Sequence, residues 1–160
     1  MIERVRAVLI TPDGCLLAIR RDRPDRATYW VLPGGHVDSE DQNIEAALSR
    51  EISEEIAGEA DITSLLQVLD SGAGDERQYV YLGRISAWDF AARTGPEFSE
   101  PGRGTYQLEQ IPLTAAGLGA IDLKPTAVAG LLRDATAEGR DLFALPDQRS
   151  APAAEVPRGI

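Results

Sequence analysis

Cysteine and histidine each occur once in this chain of 160 residues. A lone thiol excludes an intrachain disulfide. It lies in the apolar run Cys15-Leu16-Leu17-Ala18-Ile19, where a buried core thiol is expected. Long hydrophobic runs are missing too. None approaches the ~20 residues of a membrane span. The start, Met1-Ile2-Glu3-Arg4-Val5-Arg6, lacks the apolar core of a signal peptide. A cytoplasmic protein without a membrane partner is the expectation. Positive charge is also in deficit, with 16 Lys and Arg against 26 Asp and Glu and a net charge of −10. Such a chain has no basic footprint for a nucleic-acid polymer. A small phosphorylated ligand remains open, because a bound cation reverses the local sign. Internal repeats are absent. The length fits one domain with a sizeable core. We assign it to residues 1–145 and expect 146–160, rich in Pro and Ala, to form a loosely ordered tail.

What is present is concentrated in one stretch, Leu32-Pro33-Gly34-Gly35 followed by Arg50-Glu51-Ile52-Ser53-Glu54-Glu55. Ile44, Ala47, Leu48, Ile52 and Ile56 recur at helical spacing and predict a buried stripe. Glu51, Glu54 and Glu55 fall beside that stripe within an arc of about 100°. Like charges so close repel by a few tenths of a kcal/mol per pair on an exposed helix. A divalent cation among them removes the conflict, and oxygen ligands suit Mg²⁺ or Mn²⁺. The competing reading is a charged, solvated helix face; the glycine lead-in and Arg50 weigh against it. Ser39-Glu40-Asp41-Gln42 has the form of a capping box with Ser39 as N-cap, and Gly58 is the expected helix stop.

The remaining pattern predicts an α+β protein, an α/β/α layering of helices on a mixed sheet. Alternation over residues 4–9 and the run 15–19 predict a hairpin across Thr11-Pro12-Asp13-Gly14. Arg20 to Arg26 reads as a charged, Pro-broken loop. Within it Arg20 and Arg21 are candidate phosphate-binding donors, against the alternative of a solvated turn. Tyr29 to Leu32 predicts a strand, and Gly34-Gly35 permits a close approach that a Cβ would forbid. Residues 61–69 and 78–85 predict a second hairpin, 105–111 another strand, and 113–118 a short helix. A final helix begins near Pro125 and stops at Gly139. His36 is expected at the surface. Most of Tyr29, Trp30, Tyr79, Tyr81 and Trp88 are expected in the core or sheet.

Residues 34–58 resemble the Nudix hydrolase signature: a Gly, five residues, Glu, seven residues, then Arg-Glu-apolar-any-Glu-Glu-any-Gly-apolar. Arg50 to Glu55 fits without a flaw. Two departures stand out. One extra residue separates Gly35 from Arg50, so the first signature Glu falls on Asp41 or Gln42 according to the end counted from. Ala57 occupies the place of the later Gly. A loop absorbs an insertion more easily than a helix, so the extra residue belongs before the helix.

The resemblance implies a metal-dependent hydrolase of a pyrophosphate linkage in a nucleoside diphosphate derivative, acting with Mg²⁺ or Mn²⁺. It implies metal ligands Glu51, Glu54, Glu55 and the Gly35 carbonyl, with Arg50 orienting carboxylates. Catalytic carboxylates are then Glu51 and Glu54, and the general base is either a helix Glu or a carboxylate on a distant loop, where Glu97 is favoured over Glu100. Arg20, Arg21, Gly34 and Gly35 are candidates for the substrate side. The alternative is a Nudix-like nucleotide-binding domain with little or no turnover. The resemblance also makes a homodimer the default expectation.

Overall fold

Alternation on one strand sets both faces of the fold. In the computed structural model, which describes residues 1–94 and 102–150, β1 spans Ile2–Ile10. It sends Val5, Ala7 and Leu9 to one face and Val8 and Ile10 to the other. β2 (Cys15–Arg23), β3 (Arg26–Val31) and β4 (Gly34–His36) follow, then helix α1 (Ile44–Ile56). β5 (Glu59–Asp70), β6 (Glu76–Ala87), β7 (Thr105–Pro112), α2 (Ala115–Gly119), β8 (Leu123–Lys124) and α3 (Thr126–Ala137) follow, with short 3-10 turns at Phe90–Ala92 and Leu142–Ala144.

The expected hairpin of β1 with β2 shrinks to a single pair, Ile10 with Leu16. The edges of β1 are taken elsewhere. β6 runs parallel to it along its whole length, and β4 pairs antiparallel on the other side. β2 in turn pairs with β3 and, from Cys15 to Asp22, with β7. The eight-stranded mixed sheet is therefore two halves, β5-β6-β1-β4 and β7-β2-β3-β8, joined at one place. The charged loop expected at Arg20 to Arg26 is instead mostly strand, because β3 and β7 satisfy its backbone groups from both sides. Three-residue β4 and two-residue β8 are too short to carry a periodic signal. Pairing of 61–69 with 78–85 is as predicted.

The two faces are covered by different helices. Ala47, Leu48, Ile52 and Ile56 of α1 pack with Val5, Ala7, Leu9, Leu17 and Ile19. Val128, Leu132 and Ala135 of α3 pack with Val8, Leu16, Ala18, Val80 and Leu82. Each fully buried Leu, Ile or Val contributes about 1.5–3 kcal/mol. Cys15 is only partly buried, at the rim of this core.

Both ends of α1 differ from the sequence reading. Its N-cap is Asn43, whose Oδ1 accepts the Ala46 N–H at 2.8 Å. Ser39 lies in the irregular segment before it, because Asp41 is drawn to Arg50 rather than into the first turn. At the other end Ala57 adopts φ 46°, ψ 45°, the left-handed conformation that usually selects Gly. Its N–H donates to the Ser53 carbonyl at 3.0 Å. The chain after 145 is partly tied down. The Leu65 N–H donates to Asp147 Oδ1 at 3.0 Å, and Arg149 reaches Glu45 and the Thr63 carbonyl, each at 2.8 Å. The tail expected from 146 is thus anchored through Arg149; residues 151–160 lie outside the described residues.

Candidate active site

Gly34 and Gly35 let a helix and a strand touch without intervening side chains. A Cβ on Gly34 would collide with the Val5 carbonyl oxygen, and its φ of 148° suits only glycine. A Cβ on Gly35 would stand 2.6 Å from the Glu51 carboxyl carbon. The Glu51 carboxylate therefore lies directly against the β4 backbone. Glu55 does the same one turn later, accepting the Gly34 N–H at 3.3 Å. Both are buried, each 8% exposed.

Arg50 organises the acidic group. Its Nε and Nη2 donate to the two oxygens of Asp41, both at 3.0 Å. Nη1 donates to Glu51 at 3.1 Å and to Glu54 at 3.3 Å, and Nη2 also reaches the His36 carbonyl at 3.0 Å. This planar fork is a task for Arg and not for Lys. Asp41 is held below the usual carboxylate range, first by its hydrogen bonds from Arg50 and then by the Asp38 N–H. The segment 37–43 is irregular and carries Asp41 to Arg50.

These carboxylates border a cavity of about 560 Å³ between the two half-sheets. One half-sheet contributes Arg4 and Arg6 of β1 with Gly34, Gly35 and His36 of β4. The other contributes Ile19, Arg21, Tyr29, Val31 and Tyr106, and Glu51 and Glu55 come from α1. The Arg21 guanidinium stacks on the Tyr106 ring at 3.8 Å and donates to the Arg103 carbonyl. Arg6 is half-buried; loss of solvation lowers its pKa, while Glu55 and Glu51 work in the opposite direction. Its Nη1 donates to the Leu32 carbonyl at 3.2 Å.

Of the residues singled out from sequence, Arg21, Gly34, Gly35, Glu51 and Glu55 meet at this cavity; Arg50 and Glu54 are not in its lining and connect to it through the Arg50 bond to Glu51. Arg20 does not meet them. It alternates to the other face of β2, near Trp30 and paired with Asp22 at 3.1 Å. Glu97 and Glu100 lie outside the described residues. His36 is exposed, as expected. Tyr81 is core, and the Tyr79 hydroxyl donates to Glu3 at 2.8 Å. Sequence reading missed Arg4, Arg6, Arg103 and Tyr106. The alternation of Arg4 and Arg6 on β1 was visible, but only the pairing with β4 aims them at the cavity.

Among the described residues, no three His, Cys, Asp or Glu side chains are gathered as a finished metal cage. Arg50 holds Glu51 and Glu54 by one oxygen each, and the Gly34 amide engages Glu55. The donor set nevertheless fits a hard divalent cation: oxygen ligands only, with the missing Gly35 Cβ letting the Glu51 carboxylate lie against the β4 backbone. No helix among the described residues is long and apolar enough to cross a membrane.

The sequence matches the NUDIX domain family over residues 2–125. No curated protein matches it. Its fold is similar to a MutT NUDIX hydrolase of Burkholderia pseudomallei, at 27% identity and TM-score 0.52, covering 83% of this chain and 95% of that one. A NUDIX hydrolase of Nitrosomonas europaea gives 18% identity and TM-score 0.58 over 94% and 99% of the two chains. An ADP-ribose pyrophosphatase of Streptococcus suis gives 20% and 0.59 over 88% and 93%.

Proposed function

This chain belongs to the NUDIX family of pyrophosphohydrolases, and from that premise we propose that it hydrolyses the pyrophosphate linkage of a nucleoside diphosphate derivative. The observation that carries this reading is the pair of buried carboxylates, Glu51 and Glu55, pressed against the glycine strand at the floor of an arginine-lined cavity. Such a floor alone repels a diphosphate. Mg²⁺ or Mn²⁺ held by Glu51, Glu54, Glu55 and the Gly35 carbonyl would reverse the local charge, acidify an attacking water and polarise the phosphoryl oxygens.

The chain's own residues divide the remaining work. Arg50 holds Glu51 and Glu54 fixed in direction, so little reorganisation is left for the reaction. Arg4, Arg6 and Arg21 line the opposite wall and orient phosphate oxygens. Glu54 is the most exposed of the three, its side chain 34% accessible, and its free oxygen accepts the proton of the attacking water. Glu97, which lies outside the described residues, is the alternative base.

The test is a panel of nucleoside diphosphate derivatives, including dinucleotides and nucleotide sugars, incubated with Mg²⁺. We expect a monophosphate plus a second phosphorylated product from at least one member. Binding without any product would support the non-hydrolytic alternative.

A further inference from the structure

The last turn of α1 carries Glu54 and Glu55, and local donors run out where it ends. Ala57 is left-handed, at φ 46°, and a residue other than glycine keeps that conformation only where its surroundings over-determine it. The Ala57 and Gly58 N–H groups turn back to the Ser53 and Ile52 carbonyls, at 3.0 and 3.5 Å. Helical geometry leaves the carbonyls that follow without an intrahelical donor. Two of them are met from a distant part of the chain. The Thr94 N–H donates to the Glu54 carbonyl at 2.8 Å, and the Asp89 N–H to the Ile56 carbonyl at 3.0 Å.

The segment 88–94 that brings these donors is a strap with its own internal bonding. Its single turn, Phe90–Ala92, is capped by Asp89, whose Oδ1 accepts the Ala91 N–H at 3.2 Å. The Ala92 N–H donates to the Asp89 carbonyl at 3.0 Å. The Arg93 N–H and Nη1 both donate to the Phe90 carbonyl, at 3.3 and 2.9 Å, and the guanidinium stacks on the Phe90 ring at 4.1 Å. Trp88 and Phe90 pack against the core cluster that contains Ile52 and Ile56. Glu54 is the carboxylate with most need of this support. Glu51 lies against Gly35, and Glu55 accepts the Gly34 N–H. Glu54 stands further out, its side chain 34% accessible and held by Arg50 at 3.3 Å. The rest of its placement comes from its backbone, which Thr94 holds.

We propose that the strap 88–94 is a positioning element for Glu54, acting through the Thr94 N–H, and that it sets how tightly the carboxylate group holds a divalent cation. The inference rests on the reading of Glu54 as a cation ligand. Without the Thr94 bond the Glu54 carbonyl is left to water and the last turn frays from its end. The carboxylate then spreads over positions of which few suit the ion. A ligand fixed before the ion arrives costs less to bind than one ordered at each binding event. Glu51 and Glu55, seated on β4, lose less.

Equilibrium Mn²⁺ binding to the full chain, read from the electron paramagnetic resonance signal of the free ion, tests this without turnover. Thr94→Pro removes the N–H. Arg93 already has φ −60° and ψ 146°, the conformation that a following proline requires, and the Thr94 side chain is exposed. Mn²⁺ binding should weaken about fivefold to tenfold, the scale of one lost hydrogen bond. Thr94→Ala keeps the N–H and should restore binding to within about twofold of the natural protein. The deciding comparison is made in Glu54→Gln, itself a weaker binder. There Thr94→Pro should add less than about twofold, because the strap has no cation ligand left to position. An equal loss in both backgrounds would mean that the strap supports the fold and not Glu54, and would overturn the proposal. Unchanged binding in Thr94→Pro, or the same loss in Thr94→Ala, would overturn it too. Should Thr94→Pro fail to fold, Asp89→Ala, which removes the cap of the strap, is carried through the same comparison and decides it. Glu54→Gln binding Mn²⁺ as tightly as the natural protein would remove Glu54 from the ligands, and this inference with it. Non-additive binding without hydrolysis of any anhydride would sink the hydrolase reading alone; hydrolysis with additive losses would sink this one alone.

Discussion

Adding one methyl at Gly35 separates catalysis from stability. The new Cβ would stand 2.6 Å from the Glu51 carboxyl carbon, where ordinary contact begins near 3.4 Å. Glu51 must therefore give by nearly 1 Å. The obstacle is the far end of a side chain rather than backbone, so the fold survives at a cost of about 1–3 kcal/mol, the usual penalty for overpacking. The carboxylate does not have that freedom at no functional cost. Moving it breaks its 3.1 Å contact with Arg50 and displaces a group that would hold the cation. A misplacement of about 1 Å costs roughly 10²-fold in rate. Gly35→Ala should then keep most of its thermal stability, lose about two orders of magnitude in turnover, and need more Mg²⁺ for half-activation. The control is one residue away. A Cβ on Gly34 meets the Val5 carbonyl, which cannot move without breaking the β1–β4 pairing. Gly34→Ala should lose the fold itself. Gly35→Ala turning over at the natural rate with the natural Mg²⁺ requirement would refute the placement of Glu51 against this strand.

How far the sequence could be read depended on whether a signal was local. Leu48, Ile52 and Ile56 lie one turn apart, so the helix and its buried face follow from spacing, and both are present. Glu51, Glu54 and Glu55 keep their register on the helix for the same reason. Capping was misjudged because Ser39 and Asn43 are both good caps, and the choice was made by Asp41 leaving for Arg50, a contact across nine positions. Arg20 and Arg21 were indistinguishable as neighbours in a charged run. Once β7 extends the strand through them, the period of two sends one to each face, and only Arg21 reaches the cavity. The extra residue before Arg50 was read as a loop insertion, and residues 37–43 have that irregular form.

Glu54→Gln should reduce turnover by about two or more orders of magnitude with an unchanged fold, measured as kcat beside the unfolding midpoint; retained activity would remove Glu54 from the site. Glu97→Gln, assayed the same way across pH, should lower kcat only if the base comes from that loop, and an unaltered pH profile would leave the role to Glu54. Ala57→Gly should stabilise the chain by about 1 kcal/mol in denaturant unfolding, since a left-handed Ala costs roughly 1–2 kcal/mol and Gly returns part of that as unfolded-state entropy. A neutral or destabilising result would contradict the φ of 46°. The role of Asp41 is open to a test by acid. Its carboxyl in the folded chain titrates below the ordinary value of 3.8, chiefly through Arg50, so the unfolded chain takes up the proton first as pH falls. Its contribution is therefore complete well above 3.8, declines as pH falls past that value, and is gone below the folded pKa. Asp41→Asn cannot titrate. The stability difference between the natural protein and this variant should be constant above about pH 5 and shrink steadily below it, followed as denaturant midpoints at each pH. The variant should also lose turnover at neutral pH, because the charged fork of Arg50 on Asp41 is gone while its single contacts with Glu51, Glu54 and the His36 carbonyl remain. A pH-independent difference would show that Asp41 does not meet Arg50 as an ion pair, and the extra loop residue would then have no part in setting the carboxylates.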